Sequence, residues 1–439
     1  MNDLLYKKLE DICLDEKRAI ISGPFGSNIS SKYFVDKGIT VIRGNNLSLS
    51  LDKFYDEGFV YVTKKKADEL NCYAKKLDII FTAAGTIGQV GLITNDTKYD
   101  CYVISNKQIR ARLDPNKIDI LYAYYWFTSP WIQKYLTSNN KGSTVPLLSL
   151  WEVKNLPIIY PKSMSKQKKI SNIIDKISKK IELNNKINDE LEVMAKTVYD
   201  YWFLQFEFPN EEGKPYKSSG GKMIWNEELK REIPEGWKVN NILNVCDVVD
   251  CLHSKKPTYC KEYEDYYLLT LENLTEKGYI DLSKKYYISK TDYEIWTSRI
   301  LVKENDFVVT NAGRAGDIGK IPYGVKCAIG RNLTAIRPKN INPYYLRQFF
   351  KSNYLKEQVL SNLDCGSFFM SFNVKSIKSL NVLIPNEDIM KKSIDILKPI
   401  ILKIENNIVE NQELTSLRDF LLPLLMNGQV GFKEDKAEG

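Results

Sequence analysis

Three cysteines and the only histidine come closest to metal-binding chemistry: Cys246, Cys251 and Cys260 with His253. Zinc sites use paired spacings such as CxxC, which this chain lacks, so these cysteines read as core residues and no metal is expected. A second stretch with catalytic potential is Asn342-Pro343-Tyr344-Tyr345, close to an Asn-Pro-Pro-Tyr loop of the kind that serves methyl transfer to an amine. It lacks the second proline, and no strand-linked GxGxG cofactor loop precedes it. Asn342 and Asp119 fit helix N-caps instead, with Pro343 in the first turn. No acidic pair followed by a spaced lysine points to a nuclease. The residues that do recur in a pattern are glycines: Gly85, Gly88 and Gly91 in "LDIIFTAAGTIGQVG", and Gly313, Gly316 and Gly319 in "ENDFVVTNAGRAGDIG". Such glycines supply positive φ or close backbone approach.

The elements around these loops are written twice. Asp78 and Asp306, Gly85 and Gly313, Gly88 and Gly316, Gly91 and Gly319 are each 228 residues apart, and Asn46 and Asn273 are 227 apart. Downstream, "ISNKQIRARLDP" aligns with "IGRNLTAIRP", "NKGSTVPLLSL" with "DCGSFFMSFNV" and "LPIIYP" with "LNVLIP", the offset drifting to 224. Slow drift is the signature of small loop insertions in a duplicated domain. Each half has β-rich runs about the glycine loop, a helical aromatic stretch, a Gly-Ser turn and a short strand ending at Pro161 or Pro385. The fold class expected is α+β, two tandem duplicated domains with twisted, mostly antiparallel sheets.

After each half the period changes to that of a helix. Ile170, Ile174, Ile177, Ile181, Asn184, Asn188, Leu191, Ala195, Val198 and Trp202 form a heptad seam, roughly 60 Å long at 1.5 Å per residue. Adding 223 gives Leu397, Ile400, Ile404, Asn407, Asn411, Leu414, Arg418, Leu421 and Leu425. Paired polar residues in an apolar seam fix register, because a slip buries amides without partners. An antiparallel coiled coil would set Asn184 opposite Asn411 and Asn188 opposite Asn407, with Leu191 opposite Ile404 and Val198 opposite Leu397. Pro399 is expected to bend or interrupt the second helix near its start. The Gly-, Pro- and charge-rich segment 207–236 reads as a connector. The domains expected are therefore 1–161 and 237–385 for the duplicated pair, 162–206 and 386–428 for the helices, and 429–439 for a tail.

At 439 residues, 43% hydrophobic and 27% charged, the chain has the composition of a soluble globular protein of two domains. Its longest apolar runs fall short of a membrane span of about 20 residues. The start "MNDLLYKKLEDI" has no apolar stretch with a cleavage site, so a cytoplasmic location with reduced cysteines is the expectation. A net charge of +8 permits nucleic acid as a partner without arguing for it.

Two equivalent domains separated by an antiparallel helix pair carry an internal pseudo-two-fold axis, which suits a ligand with two separated and similarly shaped sites, duplex DNA above all. Here the chain resembles the specificity subunit of type I restriction-modification enzymes over nearly its entire length. The resemblance is carried by "SGPFGSNI", the "GTIG" loop, "SNKQIRA", "GRNLTAIRP", "GSTVPLLS...NLPIIYPKSMSKQKKI" and "GKPYKSSGGKMIWN...REIPEGWKV". It implies two target-recognition domains, each reading half of a bipartite sequence in double-stranded DNA, with the helices as a ruler for the unread spacer. It further implies two methyltransferase (modification) subunits as partners, restriction subunits in the full complex, and S-adenosylmethionine on the methyltransferase partners, with no cofactor on this chain and no catalysis by it. "GPFGSN" has no clear second copy, the matching region being "DCLHSKKPTY", so the two halves should read different sequences.

Sequence readout needs side chains with donors or acceptors at base edges, while lysine and arginine also anchor phosphates. The candidates flank the repeated strands: Ser27, Asn28, Arg43, Asn45, Thr86, Lys107, Gln108 and Arg110 in the first half, and His253, Lys255, Lys256, Arg314, Arg331 and Asn332 in the second. For Arg110 and Arg337 the alternative is a salt bridge, and for Asn106 and Asn332 a bond to their own loop backbone. At the level of the whole protein the alternatives are the specificity component of a related fused methyltransferase-nuclease system, and a helical adaptor with no role on DNA.

Overall fold

A computed structural model describes residues 4–138, 147–253, 257–260, 265–365 and 370–430. The chain divides into two compact units, residues 1–183 with 413–439 and residues 184–412. Each unit contains one copy of the duplicated domain and a portion of both long helices, Met164–Tyr199 and Glu387–Met426.

In the first unit the central layer is an antiparallel four-stranded sheet in the order Ile20–Ser22, Gln108–Ala111, Ile79–Thr82, Val90–Leu92. Its side chains alternate between two cores. Ile20, Ile79, Phe81 and Ile109 face one with the aromatic helix Ile120–Phe127, whereas Ile21 and Ile80 face the other with Val41, Val62 and Tyr102. That second core is closed by a five-stranded sheet whose strands Ile39–Ile42 and Cys101–Ile104 pair in parallel. With both faces of the central sheet covered, Ile79–Thr82 and Val90–Leu92 show no alternation, and Gln108–Ala111, which alternates in residue type, is buried throughout. The helix carrying Tyr122, Tyr124, Tyr125, Trp126 and Phe127 is apolar almost all round and accordingly buried from Tyr122 to Phe127.

The second unit repeats this order strand for strand: Cys246–Asp250, Leu333–Pro338, Phe307–Thr310, Ile318–Lys320. Its companion sheet pairs Tyr267–Leu269 in parallel with Lys326–Ile329. Two buried polar residues of each copy hold equivalent loops. Asn46 accepts from the Arg43 amide at 2.9 Å and donates to the Tyr55 and Glu57 carbonyls, while Asn273 accepts from the Thr270 amide at 2.9 Å and donates to those of Asp281 and Lys284. Asp78 accepts from the Lys75 amide and twice from Arg112, at 2.8 and 2.9 Å, and Asp306 accepts likewise from the Lys303 amide and from Arg337. Asn342 and Asp119 cap their helices through the amides of Tyr344 and Tyr122, and Pro343 opens the first turn.

Of the three loop glycines, two serve the turn. Gly85 and Gly88 stand at φ +97° and +100°, Gly313 and Gly316 at +80° and +89°, where a Cβ is strained. Gly91 and Gly319 belong instead to strands, and a Cβ on either would lie 2.4 Å from Leu47 Cδ2 or 2.8 Å from Ile280 Cδ1.

Within the second unit the long helices run antiparallel. Asn184 Nδ2 donates to Asn411 Oδ1 at 2.9 Å, Asn407 Nδ2 to Asn188 Oδ1 at 2.8 Å, and Ala195 packs with Leu397, Ile400, Ile401 and Ile404. Of the two effects expected of Pro399, interruption does not occur: its helix runs unbroken from Glu387 to Met426. In the first unit Ile170 and Ile174 share a core with Leu422, Leu425 and Met426.

A largely buried ionic cluster fastens the second copy of the duplicated domain to the first long helix. Glu192 accepts from Arg347, from the Tyr279 hydroxyl and from Lys351 Nζ at 2.8 Å, with Arg347 only 3% exposed. Burial pushes the Glu192 carboxyl up, but the charges of Arg347 and Lys351 outweigh it and hold it down at about 2, below its ordinary 4.5. A carboxyl depressed on folding contributes stability that is present above about pH 4.5 and lost as pH falls toward 2. Glu192→Gln leaves two buried cations without a counter-charge, so it is expected to destabilise the protein by roughly 3 kcal/mol at pH 7. Urea unfolding as a function of pH should also show a shallower loss of stability between pH 4.5 and 2 than in the wild type. An unchanged acid limb would contradict the assignment.

Candidate nucleic-acid interface

At one end of the first unit's central sheet, three loops converge on an open cleft. The turn after Ile39–Ile42 supplies Arg43, Gly44 and Asn45, the glycine loop supplies Gly85 and Thr86, and the loop between Cys101–Ile104 and Gln108–Ala111 supplies Ser105, Asn106 and Lys107. The wall is locked from behind: Gln89 Nε2 donates to the carbonyls of Gly44 and Leu47 at 3.1 Å, and its Oε1 accepts from Thr82 Oγ1. Asn45 Nδ2 and Arg43 Nη2 both donate to the Gly58 carbonyl, at 3.0 and 3.3 Å. Asn45, Thr86 and Lys107 are exposed and Arg43 half-buried, so the cleft offers an amide, a hydroxyl and two cations on a rigid frame. Ser27 and Asn28 lie in the turn Gly26–Asn28, both exposed, next to Ile29 of the cleft wall.

The second unit has a cleft built from two of the three equivalent loops, with Thr270, Leu271, Glu272, Arg331 and Asn332 joined by Tyr259, Tyr286 and Trp296. Arg331 and Asn332 are exposed there, and Asn332 adopts φ +64°, in the left-handed region that asparagine tolerates better than most residues. Arg314 occupies the glycine-loop tip between Gly313 and Gly316, as Thr86 does between Gly85 and Gly88. Its guanidinium donates to the Leu271 and Leu274 carbonyls and lies 3.2 Å from Asp317. His253 is exposed, with Nε2 2.8 Å from Asp250 Oδ2. Lys255 and Lys256 lie outside the described residues.

Two candidates are buried, although Gln108 lines the first cleft. Gln108 and Arg110 are 1% and 2% exposed. Gln108 hydrogen-bonds Ser105, while Arg110 donates to the Arg18 carbonyl and stands 3.8 Å from Asp78. Their strand is interior to the sheet, flanked by Ile20–Ser22 and Ile79–Thr82, and both its faces are covered. No side chain on it points to solvent. Burial lowers the pKa of Arg110 despite the neighbouring Asp78. Arg337 forms the salt bridge foreseen as its alternative, to Asp306.

Cys246 and Cys251 are buried, and burial pushes both thiols up. Among the described residues Asp250, Cys251 and His253 bring ligand-type atoms within 4.8 Å of one another. The imidazole is engaged by Asp250 and the thiol sits in the core, an arrangement that packing and one hydrogen bond account for.

Comparison of the copies separates two classes of position. Most of those that hold the loops are identical, Asn46 and Asn273, Asp78 and Asp306, Arg112 and Arg337, and the glycines, while Gln89 has Asp317 at its place. Those that line the clefts or stand beside them differ: Arg43 against Thr270, Asn45 against Glu272, Thr86 against Arg314, Asn106 against Arg331, Lys107 against Asn332. One frame thus presents two different sets of donors and acceptors.

Sequence and structure comparisons agree on what shares this plan. The family model described as the type I restriction modification DNA specificity domain matches residues 3–193 and 234–416. The MjaIX specificity subunit of the type I restriction enzyme of Methanocaldococcus jannaschii is 24% identical, covering 81% of this chain and 78% of its own length. The HindI specificity subunit of Haemophilus influenzae is 21% identical, covering 81% and 87%. Among solved structures, the S subunit of the type I restriction-modification system of M. genitalium superposes with a TM-score of 0.59 at 15% identity, over 97% of this chain and 96% of that one. With the family model spanning both duplicated copies and most of both long helices, this chain belongs to the type I restriction-modification DNA specificity family.

Proposed function

We propose that this chain is the DNA-reading subunit of a type I restriction-modification complex, in which the cleft of each unit reads one half of an asymmetric, bipartite target. The observation that carries the reading is the division just described: mostly identical residues hold the two clefts, and different residues line them. Side chains at base edges discriminate sequence, and cations at phosphates position the protein without discriminating. Thr86, Asn45, Ser27 and Asn28 have the chemistry of the first role, and Lys107 and Arg43 serve either. In the second unit Arg331, Asn332, Arg314 and His253 take these places, with Lys255 and Lys256 following His253 in the chain.

The chain directs catalysis and performs none. Two methyltransferase subunits, each holding S-adenosylmethionine, would dock on it and modify the target, and restriction subunits would complete the assembly. The paired asparagines Asn184, Asn188, Asn407 and Asn411 set the register of the helix pair that spaces the two half-sites. The same reading applies if the partner is a fused methyltransferase-nuclease.

Cation-to-phosphate contacts make affinity fall steeply with salt. The complex of this chain with its methyltransferase subunits, titrated by fluorescence anisotropy with a duplex carrying its methylated motif, is expected to lose on the order of 10³-fold in affinity between 50 and 200 mM salt. A scrambled duplex is expected to bind at least 10³-fold more weakly at equal salt. Equal binding of the two duplexes would sink the reading.

A further inference from the structure

The most exposed apolar side chain beside either cleft is Phe25, at 83%. It sits at the end of the strand Ile20–Ser22, in the loop "GPFGSN", one turn before Ser27 and Asn28. The loop is held close against the cleft. Gly23 donates to the Gln108 carbonyl at 2.8 Å, and a Cβ on Gly23 would stand 1.8 Å from the Ser105 carbonyl oxygen. The Phe25 carbonyl accepts from the Asn28 amide at 2.9 Å, and a Cβ on Gly26 would come 3.0 Å from Asn106 Nδ2, an atom of the cleft lining residue. Phe25 is therefore carried on a short, pinned turn and not on a mobile stalk.

Sheet register shows what occupies this place in the other copy. Ser22 stands opposite Ile109, and Asp250 opposite Thr334, the residue matching Ile109. Three residues beyond each lie Phe25 and His253, both exposed. The position follows the same rule as the cleft residues, a shared frame with a changed side chain.

Resting on the DNA-reading function above, we propose that Phe25 is a specificity-determining residue that recognises a thymine in the first half-site through apolar contact with its C5 methyl group. A rigidly held phenyl among hydroxyl, amide and ammonium groups has no hydrogen bond to offer. In the major groove of a stacked duplex the thymine methyl is the apolar feature of the base edges, and contact with phenylalanine is one of the ways it is read. The second copy, with an imidazole in this place, makes no such demand.

The test uses the complex of this chain with its methyltransferase subunits and a duplex bearing the motif, in which each thymine of the first half-site is replaced in turn by deoxyuridine. That change deletes one methyl group. The wild type is expected to lose about fourfold in affinity at one thymine, the value of one buried methyl. Phe25→Ala should bind the natural duplex more weakly by at least that factor and be indifferent to deoxyuridine there, while Phe25→Leu retains most of the discrimination. An exposed side chain leaves the fold intact, and equal melting temperatures for the variants verify it. Independent, multiplicative losses from Phe25→Ala and deoxyuridine, or a first half-site without thymine, would overturn the proposal. Lys107→Ala separates the two levels: if it weakens binding while Phe25→Ala does not, only the Phe25 assignment fails, and if neither matters, the DNA-reading function fails with it.

Discussion

Exchanging residues 237–385 for the matching segment of a family member with a different target is expected to replace the second half of the methylated motif and leave the first half unchanged. The effect should be complete, with methylation at the original motif falling to background and a hybrid motif appearing in its place. The physical reason is the separation of frame from reading surface. Asn273, Asp306, Arg337 and the glycines Gly313 and Gly316 recur in the first copy, so a foreign segment carrying them can rebuild the same loops. Its own tip and cleft residues then stand where Arg314, Arg331 and Asn332 stood. Single-molecule sequencing of modified genomic DNA reads both halves at once. A hybrid that changed both halves, or neither, would show that readout is not divided between the copies.

The second large effect lies in the frame itself. Asp78→Ala is expected to destabilise the protein by roughly 3–5 kcal/mol, because it leaves buried cations without their partner. Asp78 is 1% exposed and takes two hydrogen bonds from Arg112 and one from the Lys75 amide, and Arg110 lies within 3.8 Å of it. The amide of Lys75 would also lose its acceptor. By contrast the exposed pair Lys64–Asp68, four residues apart on a surface helix, is screened by solvent and should contribute little, so Asp68→Ala is the control. Urea denaturation of both variants makes the comparison. Equal midpoints would mean that the duplicated aspartate is not what holds the loop.

Much of this frame was legible from residue types. The shared 228-residue offset marked the duplication because Asp78, Gly85 and Gly88 do jobs that no other side chain does as well: a buried acceptor for three donors, and two backbone positions at positive φ. The asparagine pairs in the helix seam were legible for a similar reason, an amide in an apolar stripe being tolerated where another amide meets it. What escaped is equally physical. Gln108 and Arg110 look like surface groups because Gln108-Ile109-Arg110-Ala111 alternates polar and apolar as a half-exposed strand does, yet this strand is covered on both faces. Phe25 escaped for the opposite reason, since an aromatic side chain is presumed to be core until its exposure is seen. Pro399, a residue that bends or interrupts helices, does not interrupt this one, which runs on through Met426 with Leu397, Ile400 and Ile401 beside it all in the apolar seam.

The central claim, that this chain selects the sequence its partners modify, is tested most directly by genome-wide methylation mapping. Cells carrying the chain with its neighbouring methyltransferase are compared with cells lacking this chain alone. The expected result is the loss of methylation at one gapped, asymmetric motif and at no other, restored by the wild-type chain. A methylation pattern untouched by the deletion, with the methyltransferase still expressed, would contradict the account.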